Sequence, residues 1–236
     1  MEFKNRVLQK LTAPDMEHFA PALEKVEVKQ RQVLMEPGDE IEHVYFPIDC
    51  ACSMIAVTDP DNAIEIGMFG PEGMSDMVVR RGDRTFLRTQ AFLAGECLRV
   101  SSAVFVDGLA RLPSLNEVTL RFKETLSTQY AFTSAANGGF PIEQRLARWI
   151  LMAIDRSPKG NIEIVHDLMA SMLSVRRSGV TTALHVLEGT GAIKATRGLV
   201  TVRDRAKLEE LAGPSYGPAE RAYELIMDFE PGAERG

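Results

Sequence analysis

The stretch from residue 165 to residue 187 restricts the fold of this chain more than any other. It reads VHDLMASMLSVRRSGVTTALHVL, and its apolar side chains recur at every third or fourth position on both sides of Ser174. This spacing predicts two short helices joined by a tight turn, with Ala170 at their crossing, where a larger side chain would collide. The second helix opens with Arg176 and Arg177. Such a pair is typical of a helix-turn-helix, whose second helix lies in the major groove of DNA, although an amphipathic helical hairpin without DNA binding would show the same apolar pattern.

The distribution of charge favours a local DNA-binding face. The net charge of the chain is −6, which taken alone argues against binding to nucleic acid. Residues 142–205, however, contain ten lysines and arginines against six acidic residues, and the segments before and after them are acidic. Contacts to phosphates require a basic face and do not require a basic chain.

The composition is typical of a soluble globular protein, with 45% apolar and 25% charged residues. The sequence has no run of 18 or more apolar residues, so we expect no membrane span, and its charged N-terminus lacks the apolar centre of a signal peptide. The three cysteines are too few for a disulfide framework. The expected location is therefore the cytoplasm.

The first hundred residues predict antiparallel β structure. Short β-type runs follow one another at VEVKQ, QVLME, HVYFPI, CSMIAV, AIEIGMF, LRTQAFLA and CLRVS. Turn residues separate several of them, most clearly PGD at 37–39 and DPDN at 59–62. Strands at such even spacing without intervening helices predict a jelly-roll or β-roll. Together with a helical second half, the expected fold class is α+β.

A long helix is predicted from about residue 103 to residue 137. Apolar residues on it step by three and four, and a stripe of this kind must be buried against something. Pairing with the same helix of a second chain is one solution, and packing on the chain's own β domain is the other. We expect the dimer, with an interface formed by Leu115, Val118, Phe122, Leu126, Gln129 and Phe132.

The remaining sequence predicts a hinge, a further helix and a two-stranded wing. GGFP at 138–141 breaks the long helix, and a new apolar face runs from residue 142 to about residue 156. The runs AIKAT and LVTV flank Arg197-Gly198, which predicts a hairpin beside the recognition helix. The expected domains are a β-roll at 1–108, a dimerisation helix at 109–138, a winged helix-turn-helix at 139–212 and a C-terminal extension at 213–236.

This order of elements resembles the Crp/Fnr family of bacterial transcription regulators. The motifs that carry the resemblance span residues 5 to 216 and are PGD at 37–39, VYFP at 44–47, FGPEG at 69–73, RLARW at 145–149, LSVRR at 173–177, GVT at 179–181, and GAI at 191–193 through Asp204-Arg205. The resemblance implies a β-roll like that of cyclic-nucleotide-binding domains and a homodimer on an inverted repeat in double-stranded DNA. It also implies RNA polymerase as a partner.

The resemblance also assigns DNA contacts by position. Arg177, Ser178 and Thr182 would face base edges. Arg176 and Thr181 would lie near backbone phosphates, and Arg197 would lie at the tip of the wing. Arginine can donate two hydrogen bonds to O6 and N7 of a guanine, whereas Ser and Thr read bases less selectively. Contacts to phosphates fix the register of the protein on DNA, and contacts to bases fix the sequence.

Three positions depart from the family pattern. Ser174 stands where the turn usually has Gly, which costs about 1 kcal/mol if that position needs a positive φ. Val165 stands where Ser or Thr usually caps the first helix, and it cannot accept a hydrogen bond, so His166 or Asp167 would have to act as the cap. Gly179 costs roughly 0.5–1 kcal/mol relative to Ala inside the recognition helix. It either allows close approach to the DNA backbone or is simply tolerated.

The β-roll departs further from family members that bind cyclic AMP. Those members use a glutamate for the ribose hydroxyls, where this chain has Met74, and an arginine for the buried phosphate. The candidates for a phosphate contact are the pairs Arg84-Thr85 and Arg88-Thr89. Neither pair aligns with the position at which those family members have their Arg-Ser or Arg-Thr pair. The β-roll is then either a scaffold or the site of another ligand.

No cofactor, no metal and no catalytic residue is expected. An Fnr-type iron–sulfur cluster needs four cysteines, and this chain has Cys50, Cys52 and Cys97. Cys50 and Cys52 share one face of a predicted strand, where they could form a redox pair, form half a metal site, or lie buried and inert. The sequence has no nucleophile elbow, phosphate loop or dinucleotide fingerprint, so we do not expect an enzyme. A ligand-sensing β-roll whose C-terminal domain docks protein is the alternative to a DNA-binding regulator.

Overall fold

The computed structural model describes residues 4–59, 62–75, 78, 80–158, 160–163, 166–196 and 198–231. Helices α1 (Arg6–Gln9) and α2 (Ala13–Phe19) precede an antiparallel β-roll. One sheet has the strand order β1 (Glu24–Val28), β7 (Gly95–Ser101) and β3 (His43–Pro47). The other has the order β2 (Val33–Met35), β6 (Arg88–Leu93), β4 (Ala51–Asp59) and β5 (Asn62–Phe69). The predicted α+β fold class and the predicted strands of the roll are confirmed.

Two helices follow the roll where one was predicted. α3 (Ser102–Arg111) and α4 (Pro113–Gly139) are separated at Leu112, whose φ of −114° and ψ of 95° are extended. Pro113 causes the break, because it lacks an N–H and sterically disfavours helical geometry at the residue before it. It also begins α4, since proline is well suited to the first position of a helix.

The inside of the roll is packed with aromatic and sulfur-containing side chains, which α3 and α4 cover. The rings of Phe19, Phe46 and Phe105 lie with centroids 6.2–6.5 Å apart in edge or tilted arrangements. The same core contains Cys50, Cys52 and Cys97, all of them buried and free of disulfides.

The apolar stripe of α4 belongs to this core, which corrects the predicted dimer interface. Leu115, Val118, Phe122 and Leu126 are buried against the chain's own β-roll. The amide of Gln129 hydrogen-bonds both the backbone N and the backbone O of Met68, at 2.6 and 3.2 Å, and Phe132 is half-buried. A stripe of this kind requires a partner, and the partner here is the β domain, the alternative that the sequence left open.

The second half is a winged helix-turn-helix followed by one more helix. Its elements are α5 (Ile142–Asp155), β8 (Asn161–Glu163), α6 (His166–Leu173), α7 (Arg177–Gly189), β9 (Ile193–Thr196), β10 (Leu199–Val202), α8 (Arg205–Ala212) and α9 (Pro218–Met227). The strands form an antiparallel sheet in the order β8-β10-β9. The predicted wing is therefore present, whereas Arg197 at its tip lies outside the described residues.

The helix-turn-helix unit packs directly on the outer face of the β-roll. Ala51, Ile55, Met68 and Phe92 of the roll form one continuous core with the apolar side of α5. At the centre of this contact, Trp149 donates its indole N–H to Glu65 Oε1 at 2.9 Å, and its ring lies 5.8 Å from that of Phe92. The interface therefore combines a large apolar area with a buried carboxylate.

Candidate nucleic-acid interface

The turn between α6 and α7 has the geometry that the sequence predicts. Ser174 has a φ of 50°, so the position does require the left-handed region that usually selects Gly. The N–H of Ser174 donates to Ser171 O at 3.1 Å and the N–H of Val175 donates to Ala170 O at 3.0 Å. These two hydrogen bonds form a Schellman motif that ends α6 and directs the chain into α7. The cost of Ser in place of Gly is about 1 kcal/mol.

The inward faces of α6 and α7 pack as a small core. Ala170 is buried at the crossing, together with Met169, Val180, Ala183, Leu184 and Leu187. A Cβ built on Gly179 would lie 3.1 Å from Cδ1 of Ile142 on α5. Gly179 therefore relieves a contact inside the domain, and the two predicted alternatives, close approach to the DNA backbone and simple tolerance, both stay predictions. The predicted caps of α6 cannot be compared, because Val165 lies outside the described residues and so do the side chains of His166 and Asp167.

The outward face of α7 carries the residues that the resemblance assigns to DNA. Arg176 occupies the N-cap position, and Arg177, Ser178 and Thr182 are exposed on the first two turns, with Thr181 half-buried beside them. The hydroxyls of Thr181 and Thr182 donate to the carbonyls of Arg177 and Ser178, both at 3.1 Å. Each hydroxyl oxygen thereby keeps its lone pairs directed outward as an acceptor.

Two arginines of α5, which the sequence analysis names only as part of a motif, connect this helix to other elements: Arg145 connects it to the end of α6, and Arg148 connects it to α4 and to the segment after α8. Arg145 donates to the carbonyl of Leu173 at the end of α6 and to Asn137 Oδ1 at 3.1 Å. Arg148 is buried and donates to Ser215 O at 2.8 Å and to Thr133 Oγ1 at 3.1 Å. Burial lowers the pKa of both guanidinium groups, although arginine stays charged at any physiological pH.

Met74, which stands where cyclic-AMP-binding relatives have the ribose-binding glutamate, lies in a closely packed region between the roll and α4. Met74 is fully buried. A Cβ built on Gly73 would lie 2.4 Å from Cζ of Phe122, and one built on Gly67 would lie 2.6 Å from Cε1 of Tyr130. Because both glycines are already in contact with rings from α4, a nucleotide could enter there only by displacing part of the core.

The four candidates for an effector phosphate do not form one site. Arg88 pairs with Glu36 at 2.9 Å, and Arg84 donates to Gly38 O at 2.5 Å. The hydroxyl of Thr85 bonds the backbone of Leu87. Thr89 Oγ1 is buried, and within the described part of the chain no hydrogen-bond partner is found for it. Of the two arginines, Arg88 is thus already neutralised by a carboxylate, whereas Arg84 donates to a backbone carbonyl.

The three cysteines form a cluster inside the roll. The neighbouring Cys50 thiol and burial raise the pKa of Cys52 and of Cys97, and the same two thiols lower the pKa of Cys50 to about 5. The Cys97 thiol also donates to Leu98 O at 3.2 Å. Among the described residues, no group of three or more His, Cys, Asp or Glu side chains has the geometry of a metal site. The cluster is consistent with buried structural cysteines.

A cavity of about 630 Å³ lies where α4, α9 and the helix-turn-helix unit meet. Four arginines and four carboxylates line it, together with apolar side chains such as Phe122 and Leu126. Most of these charges pair with one another, as in Arg156 with Glu72 at 2.7 Å and Arg205 with Asp155 at 2.7 Å. The balanced charge of the lining selects no class of ligand.

Comparisons with known proteins agree with this architecture. Residues 144–211 match the model of the Crp-like helix-turn-helix domain, so the predicted helix-turn-helix is confirmed. A protein from Eubacterium rectale assigned to the Crp/Fnr family of transcriptional regulators has a TM-score of 0.68 at 14% identity, covering 89% of this chain and 99% of that one. FixK2 from Bradyrhizobium japonicum has a TM-score of 0.68 at 13% identity, over 81% and 98% of the two chains.

A third similar structure is the c-di-GMP-responsive regulator CLP of Xanthomonas campestris, with a TM-score of 0.62 at 17% identity over 81% of this chain and 99% of that one. At such identities the structures establish the shared fold. No protein of curated function matches the sequence. Within the described residues, none of the helices combines the length and apolar character needed to span a bilayer.

Proposed function

We propose that this chain, which carries a Crp-like helix-turn-helix domain behind a β-roll of the Crp/Fnr fold, is a sequence-specific DNA-binding transcription regulator. The observation that carries the proposal is the outward face of α7, where Arg177, Ser178 and Thr182 are exposed on the helix that follows the Schellman turn. In a helix-turn-helix, the N-terminal residues of the second helix contact base edges in the major groove. Arg176 and Thr181 would contact phosphates beside it.

A homodimer on an inverted repeat is part of the proposal, with an interface on the opposite side of α4 from the one first predicted. The exposed positions of α4 include Asn116, Leu120, Ser127, Ala131 and Ala135, which recur at spacings close to four and seven. Leu120 is 56% exposed towards the N-terminal end of this face. The small residues that follow it, Ser127, Ala131 and Ala135, allow two helices to approach closely.

The dimer can be tested at Leu120. Leu120→Glu places a charge at the large apolar residue of the proposed interface, and we expect the protein to become a monomer in sedimentation equilibrium at concentrations where the parent chain is a dimer. Arg111→Glu, at an exposed position on α3, is the matched control and should leave the mass unchanged. A Leu120→Glu protein that stays dimeric would place the interface elsewhere.

The filled β-roll supports a regulator that binds DNA without a cyclic nucleotide. The rings of Phe122 and Tyr130 fill the space beside Gly73 and Gly67. We propose that the domain acts as a scaffold for the dimer and that activity is controlled by the abundance of the protein. Binding in the cytoplasm to promoter DNA, with RNA polymerase as partner, follows from this assignment.

Selection of bound sequences from a random DNA pool, with purified protein and no added ligand, tests the proposal. We expect an enriched inverted repeat with half-sites about one turn of DNA apart. Arg177→Ala should weaken binding to the selected operator by about 1–3 kcal/mol and relax the preference at one position of each half-site. Arg111→Ala is the control for loss of a remote positive charge. A pool without enrichment would favour the alternative, in which the C-terminal domain docks protein, and an unchanged preference in Arg177→Ala would exclude that residue from base reading.

A further inference from the structure

The C-terminal segment forms a brace between the two halves of the molecule. We call residues 213–231 the C-terminal strap. It leaves the helix-turn-helix unit after α8, makes a short 3-10 turn at Gly213–Ser215 and then runs along α4 as α9. These residues lie largely beyond the part of the chain that carries the family resemblance.

The first part of the strap is fixed to the helix-turn-helix unit. Ser215 O accepts from the buried guanidinium of Arg148 on α5, at 2.8 Å. The hydroxyl of Tyr216 donates to Asp155 Oδ2 at 2.6 Å and accepts from Arg205 at 2.7 Å. Contacts to the last residues of α5 and to the start of α8 therefore hold this end of the strap.

The second part is fixed to the β-roll and to α4. Tyr223 donates its hydroxyl to Glu72 O at 2.7 Å, and Met227 is only 3% exposed within the core of the roll. Arg121 of α4 lies 4.1 Å from the ring centroid of Phe229. Its guanidinium also donates to Ile226 O at 3.1 Å. These contacts are apolar burial and charge-assisted hydrogen bonds, which hold more strongly than exposed ion pairs.

A second group of contacts joins the strap to the N-terminus. Arg6 forms a two-bond pair with Glu224, with both N–O distances at 3.1 Å, and Lys10 donates to Phe229 O at 2.9 Å. The Arg6–Glu224 pair is exposed and contributes little alone. The Lys10 contact is partly buried, and both contacts join the N-terminal segment to the strap.

The helix-turn-helix unit is thus attached to the rest of the chain in three ways. It follows α4 through residues 138–141, it shares the core around Trp149 with the outer face of the roll, and it returns to α4 through the strap. The core around Trp149 holds one side of the unit and the strap holds it at a separate place, so the unit cannot rotate without breaking one of these contacts. The outward face of α7 stays exposed in this arrangement.

We infer that the C-terminal strap positions the recognition helix for DNA, in the place of a bound effector, with Met227 and Tyr223 as its positioning residues. The inference rests on the proposed DNA-binding function. In a roll whose interior is already filled, the orientation of the helix-turn-helix unit is set by a segment of the same chain. Releasing the strap leaves the unit held only by residues 138–141 and by the core around Trp149, which allows a wider range of orientations, and DNA binding must then select the competent one at a cost in affinity.

The test compares two charge insertions on the same helix. Met227→Asp places a carboxylate in the core and should detach α9. Leu225→Asp, two residues away and 77% exposed, is the matched control, and Met227→Leu is the conservative rescue. Spin labels at the exposed sites Glu27→Cys on β1 and Lys194→Cys on β9 report the distance between the roll and the wing without DNA. Affinity is measured on the operator selected with the parent protein.

We expect one narrow distance distribution in the parent, in Leu225→Asp and in Met227→Leu, and a broad one in Met227→Asp, whose operator affinity should fall at least tenfold. A chain that ends at Tyr216 should behave like Met227→Asp, and it replaces Met227→Asp in the test if that variant does not fold. The inference would be overturned by a narrow distance distribution in both detached variants. It would also be overturned if a detached variant with a broad distribution bound the operator as tightly as the parent, or more tightly. Because the distances are measured without DNA, failure of the strap and failure of the DNA-binding proposal give different results.

Discussion

Trp149→Ala should lower the free energy of unfolding by about 3–5 kcal/mol and weaken the attachment of the helix-turn-helix unit to the β-roll. Trp149 is 3% exposed, and its ring packs against Phe92 and the surrounding core. Truncation to alanine leaves a cavity that fixed helices and strands cannot close. It also leaves the carboxylate of Glu65 without its indole donor, in a place where water does not reach.

Urea denaturation of the parent, of Trp149→Ala and of Trp149→Phe separates the contribution of the packed ring from that of the hydrogen bond to Glu65. Phenylalanine keeps most of the apolar contact with Phe92 but has no N–H, so its destabilisation should lie well below that of alanine. Trypsin digestion under native conditions gives the second measurement, since a detached helix-turn-helix unit exposes the chain around residues 138–141 to cleavage. A loss below about 1 kcal/mol in Trp149→Ala would mean that the two halves do not share this core.

The β-roll and the winged helix-turn-helix follow from local patterns in the sequence. Strand residues alternate, turn residues separate the strands, and the helical spacing around Ser174 leaves one register for the turn. The positive φ at Ser174 follows from the need to end α6 and begin α7 within three residues. Local steric rules decide such features, so one sequence is sufficient to predict them.

Features that depend on distant partners could not be predicted in the same way. The stripe containing Leu115 and Phe122 requires burial, but amphipathicity does not say whether the covering surface belongs to the same chain or to a second one. The break at Pro113 could have been predicted, because proline disfavours helical geometry at the residue before it. The docking of α9 on α4 could not, since residues of α9 contact residues some 100 to 150 positions earlier in the chain.

The burial of Glu65 is the clearest example of a property that only the tertiary structure provides. In the sequence it is a polar position in an alternating strand. In the folded chain it is 5% exposed between β4 and α5, with Ser53 and Trp149 donating to its two oxygens. Burial raises the pKa of Glu65 from 4.5 to about 7, although these two hydrogen bonds and the positive charges of Arg148 and Arg156 act in the opposite direction.

Glu65 should therefore make the protein lose stability as the pH rises from about 4.5 to about 7. The carboxyl group binds its proton more tightly in the folded chain than in the unfolded one, so its contribution is complete below pH 4.5 and is lost as the pH passes the folded pKa. Glu65→Gln is close to isosteric and never ionises. Between pH 5 and pH 8.5, we expect the free energy of unfolding of Glu65→Gln to rise relative to the parent by about 2–3 kcal/mol.

Urea denaturation of both proteins at the two pH values measures this difference in the free energy of unfolding. The contributions of groups that titrate alike in the two proteins cancel in the difference. Glu210→Gln, on the exposed side of α8, is the matched control and should show no such change. A constant difference between Glu65→Gln and the parent would mean that Glu65 keeps its ordinary pKa, which requires water at the contact between the roll and α5. A rising difference instead means that Glu65 is shielded from water in the folded chain, as its burial between the roll and α5 requires.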